Sequence, residues 1–157
     1  MKEIIFFVLI MTLFANLLSL YKSQSLNNAP LFLKDVQLLN NTTYIITPDK
    51  PILIHFWATW CPTCKLEADN IEFLSKHFEV LTIAVDSKDD ATVQKYLDAH
   101  GYTFHVVNDP HNQLASLFKI QGLPTTFIYD KNKKLIFSDV GYSSTLSMYL
   151  KMLWAKF

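Results

Sequence analysis

The sequence predicts an α/β domain with a mixed central sheet flanked by helices. Residues 52–58 (ILIHFWA) form a continuous apolar and aromatic run too short for a helix, the pattern of a strand buried on both faces of a parallel sheet, and 80–86 (VLTIAVD) reads as a second buried strand. Segments with helical spacing alternate with these runs, and such alternation implies right-handed crossovers between parallel strands. A late pair, TTFIYD and KLIFSDV, is separated only by KNK and reads as a hairpin that adds antiparallel strands.

Taken in order, residues 31–39 (LFLKDVQLL) and 43–47 (TYIIT) read as a first hairpin around an Asn-rich turn, ended by Pro48, Asp49 and Pro51. After the strand at 52–58, a helix is expected from about 62 to 77, with Leu66, Ile71, Leu74 and Phe78 on its apolar side. Beyond the strand at 80–86, Ser87 and Asp90 resemble a capping box opening a helix whose Val93, Tyr96, Leu97 and His100 share one face, and Gly101 stops it. TFHVV at 103–107 reads as a strand, and Asp109-Pro110 as the start of a further helix with proline in its first turn. A last helix from about 144 is expected to pack Leu146, Tyr149, Leu150, Leu153 and Trp154. The order is β-β-β-α-β-α-β-α-β-β-α.

An N-terminal hydrophobic helix is expected before this domain. Sixteen of the first 21 residues are hydrophobic, and residues 4–21 carry no charge between Lys2 and Lys22. As a helix this run is about 27 Å long, close to the roughly 30 Å of a bilayer core. It reads either as a signal anchor or as a cleaved signal peptide, with Ser23 and Ser25 as small residues at a cut; its length favours the anchor. No Cys lies near residue 20, which excludes a lipoprotein anchor. The expected organisation is residues 1–21 as anchor or signal, 22–30 as tether and 31–157 as one domain outside the cytosol. Fourteen lysines and no arginine balance fourteen acids, which argues against a nucleic-acid partner.

The chemistry is concentrated in Thr59-Trp60-Cys61-Pro62-Thr63-Cys64, at the junction of the buried strand and the following helix. Cys61 at a helix N-terminus faces unpaired N–H groups and the positive end of the helix dipole, which favour its thiolate. Pro62 suits the first helical turn, and Cys64 lies one turn on, placed to close a small disulfide ring. Cys61 is then the attacking thiol and Cys64 the resolving one. The competing readings are a structural disulfide, weak as a staple for so short a loop, and half of a metal site, for which the five histidines show no paired spacing.

HFWATWCPTC resembles the active-site signature of the thioredoxin-like superfamily, and GLPTTFIYD at 122–130 resembles the stretch that supplies its cis-proline, here Pro124. The apolar start, the FWATWCP wording and Glu67 three residues after Cys64 make the TlpA/ResA-like branch the most similar. These are membrane-anchored extracytoplasmic bacterial thiol-disulfide oxidoreductases that include suppressor-of-copper-sensitivity D-like proteins. The resemblance implies a thioredoxin-like fold over residues 30–155 and no cofactor beyond the redox-active disulfide Cys61–Cys64. It implies oxidised or reduced protein substrates, an integral membrane thiol carrier as electron donor, and a single-pass location with the domain on the periplasmic side of the cytoplasmic membrane. Two departures stand out: Thr125 follows the cis-proline where haem-maturation members have Glu, and His55 occupies the place of thioredoxin's buried acid.

His55 reads either as a proton relay for Cys64, suited by a near-neutral pKa, or as a core histidine satisfied by a carbonyl. Glu67 reads as a carboxylate that raises thiol pKa values or as an exposed helical acid, the latter being the simpler account. Trp60 either shields the dithiol and contacts substrate or belongs to the core; Trp57 reads as packing and Lys65 as solvated. A cis bond before Pro124 would leave the Leu123 main chain to pair with a substrate strand, with Gly122 and Thr125 shaping the loop. The leading function is a protein-disulfide oxidoreductase, most simply a reductase. The alternatives are a disulfide-forming oxidase and a copper-handling module using the two cysteines and a histidine such as His111. A peroxidase is disfavoured, because Ala58 stands where a Thr is needed and no Arg is available.

Overall fold

The structure, a computed structural model, describes residues 6, 7, 10, 11, 26 and 29–157. The anchor or signal expected over 1–21, and most of the 22–30 tether, lie outside the described residues; among the described residues no helix is long and apolar enough to cross a membrane. The elements are β1 (Asp35–Gln37), β2 (Thr43–Ile45), β3 (Ile52–Trp57), α1 (Pro62–Ser75), β4 (Glu79–Val85), α2 (Asp90–His100), β5 (His105–Asp109), α3 (Gln113–Leu117), β6 (Thr125–Tyr129), β7 (Leu135–Val140) and α4 (Thr145–Trp154). Their order is the one the sequence predicts.

Five strands form one sheet in the order β5-β4-β3-β6-β7. β3, β4 and β5 run parallel, while β6 is antiparallel to β3 and β7 to β6. All six residues of β3 are buried, as its unbroken apolar run requires. On one face Leu53 and Trp57 pack with Ile71, Leu74, Val93, Leu97, Met148 and Met152, so α1, α2 and α4 share that side. Successive right-handed crossovers from β3 to β4 to β5 move in one direction across the sheet, which puts α1 and α2 on the same face. On the other face Ile54, Phe56 and Phe127 pack with Phe118, Ala115 and Leu26.

Several local expectations are corrected. The first hairpin is much shorter than 31–39 and 43–47, and it forms its own two-stranded sheet. It is tied to the main sheet by the Leu39 N–H donating to Val106 O (3.1 Å) and by the Tyr44 hydroxyl donating to Glu79 (3.0 Å). Ser87 does not cap α2: it is fully buried, its hydroxyl donating to Val85 O and accepting from the Thr59 N–H, both at 3.0 Å. Asp89 caps instead, accepting from the Thr92 N–H at 2.8 Å. Gly101 ends the helix in the left-handed conformation (φ 70°), as expected, and His100 shares the face of Tyr96, their rings 4.4 Å apart, although it is exposed. The strand expected at 103–107 lies two residues later.

Pro110 does not open α3, whose first residue is Gln113. The buried Asp109 carboxylate, at the end of β5, serves as a displaced cap by accepting from the N–H groups of Gln113 (2.7 Å) and Ala115 (2.9 Å). Leu66 is exposed, so the buried side of α1 is carried by Cys64, Glu67, Ala68, Ile71 and Leu74. In α4 the buried residues are Met148 and Met152, while Leu146, Leu150 and Trp154 face outward. Both sides of this helix are apolar, so periodicity alone does not choose between them.

Candidate active site

The strand β3 delivers the chain to the site. Its last residue, Trp57, is held by its indole N–H donating to Thr82 Oγ1 (3.1 Å) and by ring contacts with Tyr96 and Phe104, which is the packing role expected of it. The Thr59 N–H is pinned to Ser87, and the Trp60 indole donates to Asp86 O at 2.8 Å. Trp60 remains 58% exposed, which rules out a place in the core and leaves its ring as a surface beside the dithiol.

Cys61 is the N-cap of α1, and Pro62 stands in the first turn. The Cys64 N–H donates to Cys61 Sγ at 3.2 Å, the contact that favours negative charge on that sulfur when the pair is reduced. Cys61 and Cys64 are joined as a disulfide with a Cα–Cα distance of 5.3 Å, and both are buried.

The Leu123–Pro124 peptide is cis. Because Phe56 pairs with Thr125 across β3 and β6, Pro124 lies at the same sheet edge as the chain leading to Cys61. Thr125 donates to Gly122 O (2.7 Å), and the Gly141 N–H donates to Pro124 O (2.8 Å), fixing the loop from both sides. Between this loop and Trp60 lies a cavity of about 590 Å³ lined by Trp60, Asp86, Lys119, Gly122 and Leu123.

His55 and Glu67 are buried polar groups on the side of the sheet that carries α1. His55 lies two residues from both Leu53 and Trp57 along β3 and so shares their face, the side that holds the cysteines; its Nδ1 is 2.9 Å from Thr126 Oγ1. Its partner is a hydroxyl, not the carbonyl expected of a core histidine. Burial lowers its pKa to about 3, so it is neutral near pH 7, and the near-neutral pKa expected of a relay is not found. Glu67 is fully buried, against the expectation of an exposed helical acid. Burial raises its pKa to about 8, opposed by the hydrogen bond from the Ser143 N–H (3.3 Å) and assisted by the Asp139 carboxylate. It is therefore protonated at neutral pH and does not act there as a charge that raises thiol pKa values. Asp139 in turn accepts from Lys151 of α4.

Sequence reasoning missed Thr126, Ser87, Ser143, Asp139 and Lys151 as supports of the site. Thr126 carried one signal, its place beside the cis-proline stretch. The others become neighbours only through the tertiary fold. Lys65 is exposed, as expected. His111 is exposed too, and among the described residues no cluster of three or more His, Cys, Asp or Glu side chains could hold a metal ion.

The chain is 30% identical over 126 residues to a thioredoxin-like protein of Haemophilus influenzae, covering 80% of this chain and 75% of that one. It is 31% identical over 91 residues to thiol-disulfide oxidoreductase ResA of Bacillus subtilis, covering 55% of this chain and about half (51%) of ResA. Among solved structures, StoA from Bacillus subtilis superposes with a TM-score of 0.68 at 20% identity, over 82% of this chain and 98% of StoA, a likeness of fold. The AhpC/TSA family profile matches residues 28–138, most of the chain, and the protein therefore belongs to the AhpC/TSA family of thioredoxin-like proteins.

Proposed function

We propose that the protein is an extracytoplasmic thiol-disulfide oxidoreductase that works as a reductase of protein disulfides. The observation that carries this reading is the Cys61–Cys64 pair at the N-terminus of α1 beside the cis Leu123–Pro124 bond. The names thioredoxin-like protein and thiol-disulfide oxidoreductase borne by its relatives support it.

In the reduced enzyme the Cys61 thiolate attacks one sulfur of a substrate disulfide. A mixed disulfide forms and the first substrate thiol leaves. Cys64 gives up its proton and attacks Cys61 Sγ, releasing the second substrate thiol and closing Cys61–Cys64. Two electrons and two protons pass to the substrate. An integral membrane thiol carrier would restore the dithiol by the same exchange in reverse. The Leu123 main chain receives the substrate as an added strand, and the Trp60 ring covers its cysteine.

The anchor reading of residues 4–21 supports a place on the outer face of a bacterial cytoplasmic membrane. The test of direction is the equilibrium of Cys61–Cys64 with glutathione. A potential near about −270 mV fits a reductase, and one near about −120 mV identifies a disulfide-forming oxidase instead.

A further inference from the structure

Asn70 belongs to α1, but its side chain is given over to the loop between β7 and α4. Its Nδ2 donates to Ser143 O at 3.2 Å and to the Tyr142 hydroxyl at 3.4 Å. Its Oδ1 accepts from the Thr145 hydroxyl at 2.7 Å. Thr145 is the first residue of α4, and its hydroxyl decides which way the amide faces: with Oδ1 turned to Thr145, Nδ2 is left for Ser143. Glu67, a neighbour of Asn70 on α1, accepts from the Ser143 N–H. Both main-chain groups of Ser143 are thus held by the helix that carries Cys64 and is capped by Cys61.

The same loop holds the edge that receives a substrate strand. The Gly141 N–H, two residues before Ser143, donates to Pro124 O at 2.8 Å. Gly141 has φ 99°, in the region that favours glycine, and so the turn that aims this N–H depends on the residue type. On the other side of the cis bond Gly122 lies against Val140, since a Cβ on Gly122 would stand 3.6 Å from Val140 Cγ1. A path of direct contacts therefore runs from α1 through Asn70, Ser143 and Gly141 to the Leu123–Pro124 bond.

Two parts of the reaction sit at the ends of this path. Attack takes place at Cys61, whereas an extended substrate is seated on the Leu123 main chain. The disulfide of a seated polypeptide meets Cys61 only while the helix and the loop keep their spacing, and a misplacement of about 1 Å can cost on the order of 100-fold in rate. A small disulfide has no strand to seat. It touches the dithiol alone and is indifferent to that spacing.

On the reductase reading given under Proposed function, we infer that Asn70 is a positioning residue for polypeptide disulfides: by latching the 141–145 loop to α1, it sets the distance between the dithiol and the Leu123 edge. Thr145 orients the latch. The latch favours disulfides carried in extended polypeptide over low-molecular-weight ones.

The test uses the full chain in detergent, pre-reduced and mixed with an excess of either insulin or bis(2-hydroxyethyl) disulfide, with the enzyme thiols remaining counted after acid quenching. Asn70→Ala is expected to slow the reaction with insulin about tenfold and to leave the small disulfide within about twofold of the wild type. Thr145→Val removes one hydroxyl and keeps the shape; it should slow insulin alone, by about threefold, and the double variant should be no slower than Asn70→Ala, because both act through one contact. Equal slowing on the two disulfides marks a general loss of structure and overturns the latch. Insulin reduction unchanged in Asn70→Ala overturns it too, as do losses that multiply in the double variant. If Asn70→Ala does not fold, the contrast between the two disulfides in Thr145→Val decides alone, and no contrast overturns the latch. A wild type that reduces neither disulfide overturns the reductase reading itself, and the latch with it.

Discussion

The buried carboxyl of Glu67 accepts one hydrogen bond, 3.3 Å long, from the backbone N–H of Ser143, 76 residues further along the chain. Its other oxygen is buried without a hydrogen-bond partner among the described residues. A neutral acid in such a place has a distinct pH signature. Burial raises its pKa from 4.5 to about 8, so between those values the unfolded chain has lost a proton that the folded chain keeps. Stability due to this group therefore falls as pH rises from about 4.5 to about 8, by about 1.4 kcal/mol per unit. Glu67→Gln should flatten this decline, as read from urea midpoints near pH 5 and pH 8.5. A decline unchanged in the variant would contradict the neutral assignment.

His55 gives the opposite slope. Its pKa falls from 6.5 in the unfolded chain to about 3 in the folded one. Between these values the unfolded state binds the extra proton, so the contribution is complete above about pH 6.5 and is lost as pH falls towards 3. His55→Leu should reduce acid destabilisation in that window. It should leave the pH dependence of dithiol resolution between about pH 6 and 8 unchanged, as followed by stopped-flow Trp fluorescence. A titration near pH 6.5 that vanishes in the variant would restore the relay.

The sequence carried the sheet and the dithiol because both are local. ILIHFW and VLTIAV are short runs of mainly apolar and aromatic residues, and Cys61-Pro62-Thr63-Cys64 begins four residues after the first. The burial of Glu67 was not legible, since Ser143 and Asp139 reach it only through the fold. The facing of α4 was ambiguous because Leu146, Leu150 and Trp154 form as regular a stripe as the buried Met148 and Met152. Asp109-Pro110 has the pattern of a helix start, whereas the Asp109 carboxylate reaches past Pro110 to cap α3 from the end of a strand.

Met152, fully buried on α4, and Leu150, exposed on the same helix, separate the two readings of that helix. Met152→Ala should cost about 2–5 kcal/mol and Leu150→Ala about 0.5 kcal/mol or less. Chemical denaturation of both variants checks it, and the reverse ranking would mean that the helix packs as the sequence pattern first suggested.

Asp89 caps α2 in place of Ser87, and Ser87 instead holds the chain leading to the dithiol. Asp89→Ala removes the cap of α2 and should lower the denaturation midpoint slightly. Ser87→Ala strips the partner from the Thr59 N–H, two residues before Cys61, at about 1–3 kcal/mol. Only the Ser87 variant should also slow insulin reduction, because it loosens the approach to the dithiol. Equal loss of activity in both would point to stability alone.

The most direct test of the central claim, that Cys61 attacks and Cys64 resolves, is trapping with Cys64→Ser. Incubated with an oxidised substrate such as insulin, this variant should accumulate a mixed disulfide that maps to Cys61 and is released by dithiothreitol, while Cys61→Ser should accumulate none. Failure of Cys64→Ser to form an adduct, or an adduct through Cys64 in the Cys61→Ser protein, would contradict it.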